Sequence, residues 1–151
     1  MRLLRLFVSR LLGLAGLLAA VLACAQPAWA DFYVVVNAAN PQRTITQKDV
    51  VDLYMGRSRA FANGQFAIAF DLPRDRPERA AFYQSLTGLS AAQVTSHWSR
   101  LMFSGQSMPP QPLPDEATMI EIVRRNPSAI GWLTREPPAD KQLRTVLVLK
   151  E

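Results

Sequence analysis

Beyond residue 30, two patterns of hydrophobic and polar positions alternate along the chain. The first is a short, continuous run of apolar and β-branched residues, found over residues 32–36, 66–70, 129–133 and 145–149. Runs of this kind are typical of strands that are buried on both faces, as in a sheet covered by helices. The sequence therefore predicts four strands, two near the start of this region and two near its end.

The second pattern places apolar residues three or four positions apart, which predicts helices. Four such segments begin after Thr46, at Pro77, after Ser90 and after Pro114. The first and third start with Thr or Ser followed three residues later by Asp or Gln, the pattern of a capping box. Proline is well placed in the first turn of the second. The predicted order is β-α-β-α-α-α-β-β, an α/β fold with its sheet covered by helices.

Residues 1–30 have the three parts of a secretory signal peptide. Three arginines precede an apolar run over residues 11–24, and Ala28-Trp29-Ala30 supplies the small residues that a signal peptidase requires. The run of 14 residues is shorter than the roughly 20 that a membrane-spanning helix needs. We expect cleavage after Ala30, a periplasmic protein comprising residues 31–151, and no membrane-spanning segment in the mature chain.

Cys24, the only cysteine, suggests an alternative form of export. Residues 21–24 fit the loose pattern at which lipoprotein precursors are cut before a cysteine that is then acylated. However, the apolar run continues up to Cys24, and Ala25-Gln26-Pro27 follows as the helix-breaking step that precedes an Ala-x-Ala site. We expect ordinary cleavage, with a lipid anchor at Cys24 as the alternative.

Removal of the signal peptide changes the charge of the protein. The full chain has a net charge of +5, but three of its 17 basic residues and none of its 12 acidic residues lie in residues 1–30. The mature chain keeps 14 basic and 12 acidic residues, a net charge of +2. So mild a charge does not indicate a nucleic-acid partner. A cysteine-free region of this length predicts one domain without disulfides.

Three stretches of the mature chain form a set of motifs. They are Val34–Asn37, the segment 46–57 that ends Leu53-Tyr54-Met55-Gly56-Arg57, and Pro127–Leu133. Together they resemble the VVN, D(I/L)(F/Y)xGK and PGAIGYV motifs of phosphate-type periplasmic binding proteins, the receptors of bacterial phosphate ABC transporters. The likeness spans about residues 33–133. It implies the fold of one lobe of a type II periplasmic binding protein.

Two departures from this family affect the expected function. Its members have two lobes that close around the anion, and they are more than twice as long, so one lobe should bind an anion weakly. Their anion loop also has a Ser-Gly-Thr type sequence, which residues 74–79 lack. In that stretch Pro77 has no N–H to donate, and Asp75 and Glu78 would repel phosphate.

Arg74, Arg76 and Arg79 are nevertheless the candidate anion-binding residues. They flank a predicted helix N-terminus that follows a strand, where free N–H groups and the helix dipole attract anions. Their guanidinium groups could add charge-assisted hydrogen bonds to a phosphate or another oxyanion. The alternative is a solvated helix start, in which Asp75 and Glu78 complement the dipole and pair with the arginines.

Other conspicuous side chains have simpler explanations. Arg57 and Arg59 form a second basic spot, which we interpret as part of a solvated loop. Trp98, Phe103 and Trp132 are predicted to lie in the core.

The sequence predicts neither a metal site nor an enzyme. His97 is the only histidine, and it has no neighbouring Cys or second His with which to bind a metal. The paired acids Asp115 and Glu116 lie at a helix start, where capping accounts for them. No nucleophile-elbow motif and no Gly-rich phosphate loop occurs in the sequence, and no cofactor is implied.

Two functions are compatible with the sequence. The first is an exported solute-binding-protein-like domain that binds phosphate or another oxyanion and is linked to a phosphate ABC transporter. The second is a periplasmic interaction module that has kept the fold and lost the pocket, and that contacts a membrane transporter or sensor. The Pro-rich loop Met108–Pro114 is a natural contact surface for the second function.

Overall fold

The computed structural model describes residues 31–150. The predicted signal peptide, with its cleavage after Ala30 and its alternative at Cys24, lies outside these residues and stays a prediction. Within residues 31–150 there are five strands and four helices. The strands are β1 (Asp31–Asn37), β2 (Ile68–Asp71), β3 (Gln111–Pro112), β4 (Ala129–Leu133) and β5 (Leu143–Lys150), and the helices are α1 (Gln47–Tyr54), α2 (Pro77–Thr87), α3 (Ala91–Phe103) and α4 (Glu116–Arg125).

The five strands form one mixed sheet in the order β3-β2-β4-β1-β5. β2 is parallel to β3 and β4, whereas β1 is antiparallel to β4 and β5. Because parallel strands end on the same side, β2, β3 and β4 end together at Asp71, Pro112 and Leu133. We call this side, with the first turns of α2 and α4 that follow β2 and β3, the carboxyl edge. In open α/β sheets, ligands bind outside the carboxyl ends of the parallel strands.

The core lies on both faces of the sheet. Val34, Val35 and Val36 follow one another in β1 and are all completely buried. Since successive side chains of a strand point to opposite faces, both faces are covered. Above the sheet, the rings of Phe82 and Trp132 stack with centroids 4.4 Å apart. The predicted α/β lobe with a sheet covered by helices is confirmed.

The helix starts agree with the capping signals in the sequence. The Thr46 and Ser90 side chains accept from the N–H groups of Asp49 and Gln93, and both capping boxes are complete. Asp115 caps α4 by accepting from the Thr118 N–H. No helix within residues 31–150 has the length and apolar character needed to cross a membrane.

Three local predictions differ from the structure. β2 covers residues 68–71 rather than 66–70, because Phe66 pairs with Ala60 in an isolated antiparallel bridge before the strand begins. The two-residue strand β3 lies in the Pro-rich segment, where only a loop was expected. Trp98 and Trp132 are buried as predicted, but the prediction for Phe103 is wrong, since it is 97% exposed.

The exposure of Phe103 follows from its position on α3. At 100° per residue, Phe103 lies about 140° around the helix from Trp98, whose side chain marks the buried face. Phe103 is also the last residue of α3, so no following turn covers it.

Gly56 is required by both its backbone conformation and its surroundings. It has a φ of +73°, in the left-handed region that residues with a Cβ avoid. A Cβ at this position would also lie 2.7 Å from Cη2 of Trp98. The glycine therefore lets the chain leave α1 directly against the indole ring.

We expect Gly56→Ala to lower the free energy of unfolding by about 2–5 kcal/mol. The left-handed backbone contributes about 1–2 kcal/mol, and crowding against Trp98 adds about 1–3 kcal/mol. The matched control is Gly88→Ala, since Gly88 has the same φ of +73° and a Cβ added there would meet nothing within 4 Å. Urea unfolding of both variants measures the difference, and equal losses would contradict this account.

Candidate functional site

A buried carboxylate lies at the carboxyl edge. Asp71 is the last residue of β2, and each of its oxygens accepts two hydrogen bonds. Oδ1 accepts from the Leu72 N–H at 2.8 Å and from Nε1 of Trp132 at 3.2 Å. Oδ2 accepts from Nε of Arg79 at 2.7 Å and from the Tyr83 hydroxyl at 2.9 Å. We call these five residues the Asp71 network; it joins β2, α2 and β4.

The charged pair in this network is almost completely removed from water. Asp71 is 2% exposed and Arg79 is 6% exposed. The Arg79 guanidinium lies 4.7 Å from the centroid of the Tyr83 ring, a cation–π contact. Burial raises the pKa of Asp71 above its ordinary value, while the positive charge of Arg79 acts in the opposite direction. The carboxylate is therefore held in the core by its donors.

The hydroxyl of Tyr83 is a permanent donor to this carboxylate. Burial raises the pKa of Tyr83 well above its ordinary value, and the negative charge of Asp71 adds to the effect. Tyr54, whose hydroxyl donates to the Phe70 carbonyl at 2.9 Å, has its pKa raised in the same way by burial. Both phenols therefore stay protonated near neutral pH and donate these hydrogen bonds.

The structure separates the three predicted anion-binding arginines. Arg74 and Arg76 are exposed at the start of α2, whereas Arg79 points inward to Asp71. Arg76 is the N-cap residue of α2, and no side chain caps the helix there. Pro77 follows as the first helical residue and has no N–H to offer. That Arg74, Arg76 and Arg79 bind an anion stays a prediction.

The start of α4 brings acidic groups to the same edge. The N–H of Thr118 lowers the pKa of Asp115, with a smaller contribution from the charge of Arg76. Arg76 and Asp115 form no salt bridge within residues 31–150, so this is a longer-range electrostatic effect between the two helix starts. The Glu116 carboxylate accepts from the Thr134 N–H at 3.0 Å, after β4. The carboxyl edge thus holds charges of both signs.

The second basic spot lies elsewhere. Arg57 and Arg59 are both exposed in the loop after α1. Nη1 of Arg57 lies 3.5 Å from the Asp52 carboxylate, and Nη2 of Arg59 donates to the Gln106 carbonyl at 3.4 Å. The two residues therefore have different partners and do not form a joint site.

His97 takes part in a structural contact. Its Nε2 lies 2.9 Å from the Met55 carbonyl oxygen, so this nitrogen must carry a proton and donate. Among residues 31–150, no group of three or more His, Cys, Asp or Glu side chains is placed to hold a metal ion.

The partner of Arg79 was not identified from the sequence. The pattern does contain a signal for it, because Asp71 is a single acid at the end of an apolar strand and Arg79 follows in the first turn of the next helix. The contribution of Trp132 could not be found in this way, since it lies 61 positions further along the chain.

The fold is a single α/β lobe similar to part of the fold of phosphate-transport binding proteins. Two solved structures share the fold. One is a phosphate ABC transporter substrate-binding protein from Clostridium perfringens with bound phosphate, at a TM-score of 0.59 and 17% identity. The other is an ABC-type phosphate transport receptor from Vibrio cholerae, at a TM-score of 0.57 and 17% identity.

These similarities concern the fold and cover only part of each neighbour. The match includes 78% of this chain in both cases, but only 45% and 46% of the neighbours' chains. The chain thus spans less than half the length of the structures that it resembles. No protein-family model matches the chain, and no curated protein matches it. The predicted resemblance to phosphate-type binding proteins is confirmed at the level of the fold.

We expect Arg79→Met to lower the free energy of unfolding by about 3–5 kcal/mol at pH 7, because the Asp71 carboxylate would stay buried without its counter-charge. The loss should be smaller at pH 4.5. Burial already raises the pKa of Asp71 above 3.8 and Arg79 opposes that shift, so removal of Arg79 should raise this pKa further. The stability of the variant should therefore fall more steeply than that of the unchanged protein as the pH rises from 4.5 to 7. Urea unfolding at the two pH values measures the change.

The double variant Asp71→Asn/Arg79→Met is the control for this experiment. It removes the titrating group together with the cation, and it keeps an amide that can hydrogen-bond with Tyr83 and Trp132. The additional pH dependence of Arg79→Met should therefore be absent from the double variant. A loss of the same size at pH 4.5 and pH 7 in the single variant would show that charge burial is not its cause.

Proposed function

We propose that this chain is an exported solute-binding-protein-like domain of the phosphate type, which binds a small oxyanion at the carboxyl edge and serves a phosphate ABC transporter. Arg74 and Arg76 are the cations that would contact the anion. In this proposal the domain binds rather than catalyses, works in the periplasm after removal of residues 1–30, and needs no cofactor.

One observation carries the proposal. The parallel strands β2 and β3 end side by side, and α2 and α4 begin at the same edge with the exposed Arg74 and Arg76 next to them. Helix N-termini and guanidinium groups are the two features of proteins that bind oxyanions most readily. The two neighbours of similar fold are named for phosphate transport, which supports this choice of ligand.

The same edge predicts that binding is weak. Arg79, the third candidate, is used by Asp71 and has little charge to offer. Pro77 removes one N–H from the first turn of α2, and Glu78 in the same turn would repel an anion. A single lobe also leaves the anion open to water on one side. We therefore expect a dissociation constant on the order of 1 mM or higher, unless a partner or a second copy supplies the other wall.

Phosphate should stabilise the folded protein if this proposal is correct. With a dissociation constant of about 1 mM, about 20 mM phosphate raises the free energy of unfolding by about 1.8 kcal/mol, because the ligand binds only the native state. Thermal unfolding in phosphate, compared with sodium chloride at equal ionic strength, measures this effect.

The double variant Arg74→Gln/Arg76→Gln should lose the stabilisation by phosphate. Arg43→Gln is the matched control, since Arg43 is another exposed arginine and lies in the loop before α1. It should respond to phosphate as the unchanged protein does. A protein that gains no stability from phosphate over chloride would refute oxyanion binding.

The Asp71–Arg79 pair favours a second candidate function. The buried Asp71 carboxylate lies 2.7 Å from Arg79, so one of the three candidate cations already has an internal partner. In this alternative the domain keeps the fold without a ligand, and it acts as a periplasmic interaction module for a membrane transporter or sensor. It predicts no effect of phosphate on unfolding in either the unchanged protein or the arginine variants.

A further inference from the structure

A groove runs beside β2, apart from the carboxyl edge. It has a volume of about 290 Å³ and lies between the loop after α1, the start of β2 and the Pro-rich segment before β3. None of Arg74, Arg76 and Arg79 lines it. We call it the edge groove. Its existence does not depend on oxyanion binding.

The walls of the edge groove are apolar and partly uncovered. Phe66, Met108, Pro109 and Pro110 form much of the lining. Phe66 is 59% exposed and Met108 is 74% exposed, so apolar surface continues beyond the groove itself. Exposed apolar patches next to a concavity mark sites of interaction, and a flexible methionine can adapt to the side chain of a ligand.

The main chain of β2 offers a donor to this groove. The Ile68 N–H donates to the Ser128 carbonyl, on the side of β4. On the opposite side of β2, the Ala67 N–H donates to the Arg59 carbonyl, and the Asp71 carbonyl accepts from the Leu113 N–H. Because N–H directions alternate along a strand, the Ala69 N–H also points away from β4, into the groove that Ala69 lines. It makes no main-chain hydrogen bond on that side within residues 31–150.

Two side chains add further donors. Ser107 lines the groove and is only 8% exposed, and its hydroxyl makes no hydrogen bond with another group of the described residues. Arg59 is the one charged residue among the described residues that line the groove. Its guanidinium has five N–H donors, of which one reaches the Gln106 carbonyl. The groove therefore combines apolar walls with donors and a positive charge.

We propose that the edge groove binds the carboxyl-terminal residue of a partner polypeptide that ends in an aliphatic side chain. The terminal carboxylate pairs with Arg59 and Ser107, and the preceding carbonyl accepts from the Ala69 N–H. The aliphatic side chain packs against Phe66 and Met108. Capture of a C-terminal carboxylate together with main-chain pairing at a strand edge is an established mode of peptide recognition. A volume near 290 Å³ suits one residue rather than a larger ligand.

Binding can be tested with the peptide acetyl-Ala-Ala-Leu, which carries a free carboxylate. Titrated into the ¹⁵N-labelled protein, it should cause saturable shifts of the Ala69 and Ser107 amide resonances. The same peptide with a carboxamide end should bind at least tenfold more weakly, because it cannot pair with Arg59. Equal binding of the acid and the amide would overturn recognition of the carboxylate.

Two variants locate the site. Arg59→Gln should weaken binding of the free-acid peptide at least fivefold, and Arg57→Gln should leave it unchanged. Arg57 is the matched control, since it is an exposed arginine in the same loop that contacts Asp52 and does not line the groove. Both side chains are exposed, so both variants should keep the dispersed spectrum of a folded protein. Equal effects of the two substitutions would place the site elsewhere.

N-acetyl-leucine separates a peptide site from a site for small acids. It has the same terminal residue as the peptide, so a site for polypeptide ends should bind the peptide at least as tightly. Binding of N-acetyl-leucine together with exclusion of acetyl-Ala-Ala-Leu would overturn the polypeptide partner and indicate a small apolar acid instead. Absence of shifts with both probes would overturn the proposal as a whole.

Discussion

The Asp71 carboxylate is buried at the point where β2 ends, and the structure around it supplies what a buried charge requires. A carboxylate taken out of water is costly unless it is paired and hydrogen-bonded. Here the compensation comes from three separate elements: Arg79 and Tyr83 from α2, Trp132 from β4 and the N–H of Leu72 after β2. The requirement fixes the position of α2 over the sheet, because Arg79 and Tyr83 must both reach one oxygen.

This constraint also shapes the chemistry of the carboxyl edge. The buried Asp71 commits Arg79 to an internal partner, so of the three candidate arginines at this edge only Arg74 and Arg76 are exposed. Near them, Glu78 in the first turn of α2 and Asp115 at the start of α4 add negative charge. If our proposal is correct, a lobe with this arrangement binds an oxyanion only weakly by itself, and a second wall would strengthen the binding by excluding water. The fold resembles that of phosphate-transport binding proteins, and residues 74–79 lack the Ser-Gly-Thr type sequence that the resemblance implies for an anion loop.

Most of the secondary structure could be predicted from local signals. The capping residues Thr46 and Ser90 mark the starts of α1 and α3, and continuous apolar runs mark β1 and β4, because these signals act within a few residues. The short strand β3 could not be predicted, since it exists only where residues 111–112 meet the end of β2. The prediction for Phe103 was wrong because it relied on the apolar character of the side chain and not on its angular position on α3, which faces away from the core.

The candidate site was predictable only in part. The segment 74–79 was found from its charges and its place at a helix start. Arg79 points inward to Asp71, and the Trp132 side chain that donates to the same carboxylate lies 61 positions beyond Asp71 and is brought there by the sheet. The edge groove could not be predicted either, although the Pro-rich segment that forms one wall is predicted to be a contact surface.

A titration with phosphate followed by NMR tests the central claim most directly, namely that the Asp71 network is a closed internal structure and that the exposed arginines face any anion. The account predicts saturable shifts of the backbone amides of Arg74 and Arg76, with no change in the indole N–H resonance of Trp132. A shift of the indole resonance that follows phosphate binding would contradict the account, because the ligand would then compete with Asp71 for its donors.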